Sequence, residues 1–194
     1  MIKKLSTYST ELSSEQGFAL LDLIASYASS WTLLQKFSEN KLSSPEITHK
    51  PVSTLSYEEA KFAINQLKNK LFFTNKKLEL FAQERELMFE RIIASIYQTF
   101  DGQDLYPSIE EKAAHLLYFI LKDYPFLDGN KRIGSFLFIL FLAKNKYLVD
   151  ANGERKFNNN ALIALTLMVS ASDPKQKDIM ILLIINLLSI KAII

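Results

Sequence analysis

The chain has 194 residues, of which 48% are hydrophobic, so one domain with a sizeable core is expected. Its 23 lysine and arginine residues nearly balance 21 aspartate and glutamate residues, and a net charge of +2 predicts no general attraction to nucleic acid. The absence of cysteine excludes disulfides, zinc–thiolate sites and cysteine nucleophiles. The two histidines, His49 and His115, are too few for a histidine-rich metal centre.

The N-terminal residues turn polar directly after MIKK, which is not the pattern of a secretory signal. Two apolar stretches, 133–143 and 179–194, are too short to span a bilayer, and polar residues interrupt the second. Anchoring of the tail to a membrane is the less favoured alternative. We therefore expect a cytoplasmic protein without a membrane partner.

Few glycines and prolines, and no long alternating runs, predict a mostly helical chain. Residues 1–14 are interpreted as a lead segment and residues 15–194 as one domain without internal repeats. The first helix is expected from Ser14 to about Ser38, followed by a proline-containing loop at 39–54.

The next elements begin at recognisable helix starts. Ser56 and Glu59 form a capping box, in which each side chain binds a free amide of the other's turn, and the helix that they start should reach about Phe72. Another helix is expected through 84–100. The Asp-Gly pair and Pro107 then predict a hairpin-like turn over 101–108.

Ser108 and Glu111 form a second capping box, with a helix expected to Lys122. After a loop, the helix that ends near Lys144 is apolar almost all round, which is typical of a helix at the centre of a bundle. A turn at 150–160 precedes the last two helices. These are expected from Asn160 to Ala171 and from Asp173 onward, with Pro174 in the first turn.

The loop DYPFLDGNKRIGSF at 123–136 has the composition of a phosphate site. A helix that begins near Asn130 points free amides and its positive dipole end at the loop. Gly129 lets a phosphate approach the backbone, while Lys131 and Arg132 add charge. Asp128 could ligate Mg²⁺ shared with a di- or triphosphate.

A simpler interpretation also fits this spacing. Asp-Gly-Asn could be a turn with a helix cap, and the two cations could be solvated. Phe126 and Ile133 are interpreted as core anchors in either case. The residues alone leave both interpretations open.

The segment from Tyr124 to Arg132 resembles the signature of the Fic/Doc (Fido) family, His-Pro-Phe-x-Asp-Gly-Asn-Gly/Lys-Arg, at eight of nine positions, counting the free one. The stretches 105–123 and 128–138 most resemble the Fic-type part of RhuM-like virulence proteins. The resemblance implies an all-α, Fic-type helical bundle around a central buried helix, with a short β-hairpin flap.

The resemblance also implies an activity. Family members transfer AMP, or phosphate in Doc-type members, from a nucleotide to a hydroxyl of a target protein, with ATP and Mg²⁺ as the expected substrate and metal. Asp128 would hold the metal, Gly129, Asn130 and Lys131 would form the phosphate cradle, and Arg132 would bind the outer phosphates. The implied target-docking flap consists of Gly102, Gln103, Asp104, Leu105 and Tyr106.

Tyr124 departs from the family at the position of the catalytic base. An ordinary phenol has a pKa of about 10, so its ionisation at neutral pH costs roughly 4 kcal/mol. The resemblance therefore predicts a weakened or silent adenylyltransferase. His115, nine residues upstream, is an alternative base, although a polar helix residue is the favoured interpretation.

Two further departures concern the reaction and its control. Lys131 stands where many AMP-transferring members have glycine and Doc-type members have lysine, so AMP and phosphate transfer both stay open. Ser135 stands where many members have an arginine that pairs with an inhibitory glutamate. Glu39, in QKFSEN at 35–40, is the candidate for that glutamate. Alternatives to an enzyme are a nucleotide- or target-binding pseudoenzyme and a toxin–antitoxin component.

Overall fold

The computed structural model describes residues 28–46, 48–72, 79–150, 153–156 and 158–189. The chain divides into two compact units, residues 1–41 with 193–194, and residues 42–192. In the first unit the described part of helix α1 covers 28–38. The remainder of the helix predicted from Ser14, and the predicted lead segment 1–14, lie outside the described residues.

The regular elements among the described residues of the second unit are helices, apart from one small hairpin, which confirms the predicted fold class. Its elements are α2 (Tyr57–Phe72), α3 (Met88–Ser95), β1 (Thr99–Phe100), β2 (Gln103–Asp104), α4 (Ile109–Asp123), α5 (Asn130–Lys144), α6 (Asn159–Ala171), a 3-10 turn (Pro174–Gln176) and α7 (Lys177–Ser189). The two strands pair antiparallel around the predicted Asp-Gly turn. No helix in the described ranges is both long and apolar enough to cross a membrane.

The core lies around α4 and α5. Helix α5 buries Ile133, Leu137, Phe138 and Phe141 completely, as its apolar sequence predicts. Helix α4 shares the central position, because it packs against α3, α5, α6 and α7. The loop between these two helices is therefore anchored at both ends in the best-packed part of the unit.

Both predicted capping boxes are present. The amide of Ser56 donates to Oε2 of Glu59 at 3.0 Å, and the amide of Glu59 donates to Oγ of Ser56 at 3.2 Å. Ser108 and Glu111 make the equivalent pair at the start of α4, at 3.0 and 3.1 Å. These reciprocal bonds fix where α2 and α4 begin.

Helix α3 is shorter than the helix predicted over 84–100. Glu86 and Leu87 have positive φ angles of 38° and 60°, which stop any helix before Met88. The first turn is capped from further upstream, because Oε1 of Glu84 accepts from the amides of Phe89 and Glu90 at 3.2 and 3.3 Å. The last predicted helical residues instead form strand β1.

Candidate functional site

The loop 124–132 begins at a left-handed residue. Helix α4 ends at Asp123, and Tyr124 follows with φ 49° and ψ 58° and with 45% of its surface exposed. Phe126 then turns inward, is almost fully buried, and packs against Phe89 with ring centroids 5.0 Å apart. The aromatic anchor predicted at Phe126 is confirmed.

Asn130 closes the loop with its side chain. Its Oδ1 accepts from the amide of Phe126 at 3.0 Å, and its Nδ2 donates to the carbonyl of the same residue at 2.7 Å. The side chain is buried and committed to the loop, so what it offers a ligand is its backbone amide. This structural use of the amide group was not predicted from the sequence.

Helix α5 begins at Asn130 with Gly129 as its cap, as predicted. The first intrahelical bond runs from the amide of Ile133 to the carbonyl of Gly129 at 2.8 Å. The amides of Asn130, Lys131 and Arg132 therefore have no acceptor within the helix. Three adjacent donors and the positive end of the helix dipole meet at this point, which is the arrangement that binds phosphate.

Gly129 has a packing role in addition to the predicted access for a ligand. Its φ is 91°, a conformation that residues with a Cβ rarely adopt. A Cβ at this position would collide with the ring of Phe81. The guanidinium carbon of Arg132 lies 4.6 Å from the centre of the same ring. Phe81 thus packs beside both Gly129 and Arg132.

The charged side chains of the loop are exposed and weakly held. One nitrogen of the Arg132 guanidinium lies 3.0 Å from Oδ2 of Asp128, and both side chains are about half exposed. The Lys131 side chain is exposed and makes no hydrogen bond or ion pair with any residue that the structure describes. An ion pair at the surface contributes little to stability, so these groups are available to a ligand.

The same carboxylate is the local candidate for a metal ligand. No group of three or more histidine, aspartate or glutamate side chains in the described ranges could hold a metal ion. Mg²⁺ fits Asp128 nonetheless, because this ion is usually bound by one or two carboxylates together with phosphate oxygens and water. Such a metal would depend on the nucleotide for most of its ligands.

A groove between α5 and α6 opens next to the cradle. It has a volume of about 210 Å³. Its two cations and one hydroxyl come from α5, and its other wall from α6 is mainly aliphatic. The lining residues are Lys131, Arg132, Ser135, Leu162, Ile163, Thr166 and Leu167.

The segment 81–85 pairs with the loop through its backbone. The amide of Ala82 donates to the carbonyl of Asp128 at 3.1 Å, and that of Arg85 to the carbonyl of Pro125 at 2.8 Å. In return the amide of Leu127 donates to the carbonyl of Gln83 at 2.9 Å. This pairing was not predicted from the sequence, and no local pattern signals it, because the partners are distant along the chain.

The predicted flap lies elsewhere. Lys112 binds Asp104 at 2.9 Å, and the ring of Tyr106 stacks on His115 with centroids 3.7 Å apart. Both contacts are with the first half of α4, whereas Tyr124 follows its last residue, roughly 14 Å further along the axis from His115. Tyr124 lies in the same loop as Asp128–Arg132, whereas Asp104 and Tyr106 contact the opposite half of the helix.

His115 belongs to that opposite end too. Its Nδ1 lies 2.8 Å from the carbonyl of Glu111, and burial lowers the pKa of the imidazole. A side chain that is stacked and bonded about two and a half turns away from Tyr124 is a structural residue, as the favoured interpretation held.

Glu39 lies in the first unit, directly after α1. Its carboxylate accepts from Nζ of Lys41 at 2.7 Å and from Nε2 of Gln35 at 2.9 Å. The hydrogen bond from Lys41, followed by that from Gln35, lowers the pKa of this carboxyl. Its inhibitory role stays a prediction.

Comparison with known protein families supports the resemblance. Residues 55–142 match the model of the Fic/DOC family. The matched range runs from just before α2 through most of α5, and it contains the loop 124–132 and the segment 81–85. Neither the curated proteins nor the solved structures contain a match to the chain.

Proposed function

With residues 55–142 matching the Fic/DOC family, we propose that the protein binds a nucleoside triphosphate with Mg²⁺ and transfers AMP or phosphate to a hydroxyl of a target protein. The observation that supports this most is the cradle at the start of α5. Free amides, Gly129, Lys131 and Arg132 all lie within one helical turn there. The closeness to RhuM-like proteins remains a prediction.

The cradle and the groove suit different parts of a nucleotide. The amides and the two cations would bind the phosphates, because charge-assisted bonds to phosphate oxygens are short and strong. The adjoining groove, about 210 Å³ in volume with aliphatic side chains on α6, would receive the nucleoside. The negatively charged phosphates would then face the two cations, and the uncharged nucleoside would face the aliphatic wall.

Asp128 and Arg132 would exchange partners when the nucleotide binds. When bound, Mg²⁺ would neutralise part of the charge on the phosphate oxygens. Asp128 would supply its carboxylate to the metal, which would release Arg132 from their mutual ion pair. The freed guanidinium would then bind two oxygens of the outer phosphates.

Tyr124 would limit the rate of transfer. The target oxygen must attack phosphorus, the bond to pyrophosphate or to ADP must break, and the hydroxyl proton must leave. A neutral phenol donates a hydrogen bond and has little basicity, so Tyr124 takes up this proton poorly. A half-exposed tyrosine at the end of α4 therefore favours slow transfer. It equally favours a second candidate function, a pseudoenzyme that binds nucleotide without transfer.

The surface beside the loop favours segment 79–87, and not the predicted hairpin, as the place where the target protein docks. This segment is hydrogen-bonded to the loop, and it carries two exposed aliphatic side chains, Leu80 and Leu87. Tyr124 and Leu127 are also exposed on the loop itself. A target segment would bury these apolar groups while placing its hydroxyl near the cradle.

Labelled ATP tests the proposal directly. Wild type, Tyr124→His and Arg132→Ala would be incubated with ATP labelled at either the α- or the γ-phosphate, in cell lysate with Mg²⁺. We expect Tyr124→His to raise transfer about 10²- to 10⁴-fold, the usual contribution of a general base, with nucleotide affinity nearly unchanged. Arg132→Ala should lose binding and transfer together, while Arg91→Ala, which changes an exposed arginine on α3, serves as the matched control.

The label also decides between the reactions. Transfer from the α-position identifies AMP, and transfer from the γ-position identifies phosphate. Wild-type transfer that is fast and increases toward pH 10 would make Tyr124 a working base. A Tyr124→His variant that binds ATP yet transfers nothing would favour the pseudoenzyme.

A further inference from the structure

A second cavity lies next to the groove beside the cradle. This cavity has a volume of about 310 Å³ and lies between α5 and the start of α6. Ser135 and Leu162 line both spaces, so the two are adjacent. An aliphatic groove next to the cradle already has room for a base, which leaves the second cavity for another group.

The second cavity has a cation and two amide side chains of its own. Arg155, Asn158 and Asn159 line it, and Arg155 also lines a further opening next to Asn160. Across the described ranges, no carboxylate or other hydrogen-bonding group pairs with the Arg155 side chain. The Arg155 side chain is exposed, and a guanidinium that lines a cavity without a protein partner is available to bind an anion.

The spacing along α5 limits what can reach both sites. Lys131 and Arg132 are in the first turn of α5, and the second cavity touches Ser135, Phe136 and Ile139. At 1.5 Å per residue, the two groups of residues are about 8 Å apart along the helix axis. This separation is on the scale of one nucleoside. One ligand could therefore place a phosphate at each end.

We propose that the preferred nucleotide carries a second phosphate on its ribose, at the 2′ or 3′ position, and that Arg155 binds this phosphate. The inference rests on the proposed function, because the 5′ phosphates are assigned to the cradle. Asn158 or Asn159 would donate an amide N–H to the same group, since the Oδ1 of Asn158 is used to cap α6 at Ala161.

Calorimetric titration of the full chain in Mg²⁺ tests this assignment. The probes are AMP, ADP, adenosine 3′,5′-bisphosphate and its 2′,5′ isomer, so that ADP and the bisphosphates have equal numbers of phosphates. We expect one bisphosphate to bind at least about tenfold more tightly than AMP, the effect of one additional charge-assisted contact. The isomer that binds more tightly than AMP identifies the ribose hydroxyl that carries the second phosphate.

Two variants separate the two phosphate sites. Arg155→Ala should remove the gain of the bisphosphate and keep the gain of ADP over AMP, while Arg132→Ala should abolish the binding of all four probes. Arg155→Lys should keep part of the bisphosphate gain, and Arg91→Ala should change neither. Equal melting temperatures without ligand would show that each variant is folded.

The outcomes distinguish this inference from the function on which it rests. A bisphosphate that binds no better than AMP, or a gain that survives Arg155→Ala, would overturn the second phosphate site while ADP binding still supports the cradle. A failure of every nucleotide to bind would overturn both.

Discussion

The two ends of helix α4 use charged residues in opposite ways. At its start, Glu110 and Lys112 have 0% and 1% of their surface exposed, and each is bonded within the protein. Beyond its end, Lys131 is exposed. Arg132 is half exposed, and its one ion pair, with Asp128, lies at the surface. Charges at the first end hold the fold, and charges at the second end are available to a ligand.

Glu110 shows how much the first end depends on its charge. Its Oε1 accepts from Tyr147 Oη and faces His49 Nδ1, both at 2.7 Å, and its Oε2 accepts from the amide of His49 at 3.1 Å. Burial by itself would raise the pKa of this carboxyl, but the hydrogen bonds from Tyr147 and His49 outweigh it and lower the pKa. One carboxylate thus joins the loop before α2 to the turn after α5.

Glu110→Ala should have the largest effect on stability. Removal of one partner from a buried charged network leaves the other polar groups unpaired, so we expect the free energy of unfolding to fall by about 4 kcal/mol. Urea unfolding measures the change, with exposed Glu90→Ala as the control. The melting-temperature increase on adding ATP and Mg²⁺ should persist in the folded fraction. A loss of unfolding free energy below about 1 kcal/mol would contradict the claim that charges at the start of α4 hold the fold.

Gly129→Ala should lower the free energy of unfolding by about 3 kcal/mol, because left-handed strain adds to the collision with Phe81. Gly102 provides a matched Asp-Gly control. Its φ is 75°, but a Cβ there would meet nothing, so Gly102→Ala should cost only about 1 kcal/mol. Equal losses in chemical denaturation would show that Phe81 does not restrain the loop.

Lys112→Met should cost about 2 kcal/mol, because Asp104 and the carbonyl of Ile96 both lose their bond to its ammonium group. The hairpin that Lys112 holds is at the far end of α4 from the cradle. Nucleotide affinity, measured by calorimetry, should therefore stay unchanged. A large fall in affinity in the folded variant would place the hairpin in the site after all.

Acid should reveal the contribution of Glu110. A lowered folded-state pKa stabilises the protein above the unfolded value of about 4.3, and this stabilisation is lost as the pH falls through the folded pKa. The stability difference between wild type and Glu110→Gln should therefore shrink from about pH 5 downward, by at most about 1.4 kcal/mol per pH unit. Unfolding curves at several pH values measure this slope. A constant difference would argue against the lowered pKa.

Asp128→Asn should give the smallest change in stability, within about 0.5 kcal/mol, because its pair with Arg132 is half exposed. The same variant should lose the Mg²⁺ dependence of nucleotide binding. Thermal shifts with ATP, with and without Mg²⁺, measure the effect. Unfolding of the variant would instead identify Asp128 as a structural residue.

Short-range patterns predicted much of the fold. The capping boxes at Ser56 and Ser108, the hairpin turn at Gly102 and the helix start after Gly129 all depend on neighbouring residues, and all four are present. The apolar pattern of α5 likewise predicted its burial. Such features can be read from a sequence because their physical cause lies within a few residues.

The contacts that were missed are non-local. Nothing around Lys112 indicates that its ammonium group is buried, because its partners Asp104 and Ile96 become neighbours only when the hairpin packs. The shortened α3 and the pairing of segment 81–85 with the loop have the same origin. The helical pattern over 84–100 was overridden by tertiary structure.

The backbone bonds between segment 81–85 and the loop make the cradle observable without any ligand. An amide proton in such a bond exchanges with solvent deuterium only when the bond opens. The amides of Ala82, Arg85 and Leu127 all bridge the two segments, so their exchange rates report one shared separation event. Mass spectrometry of peptides covering these amides would follow the opening of the site in real time, even in variants that never complete a turnover.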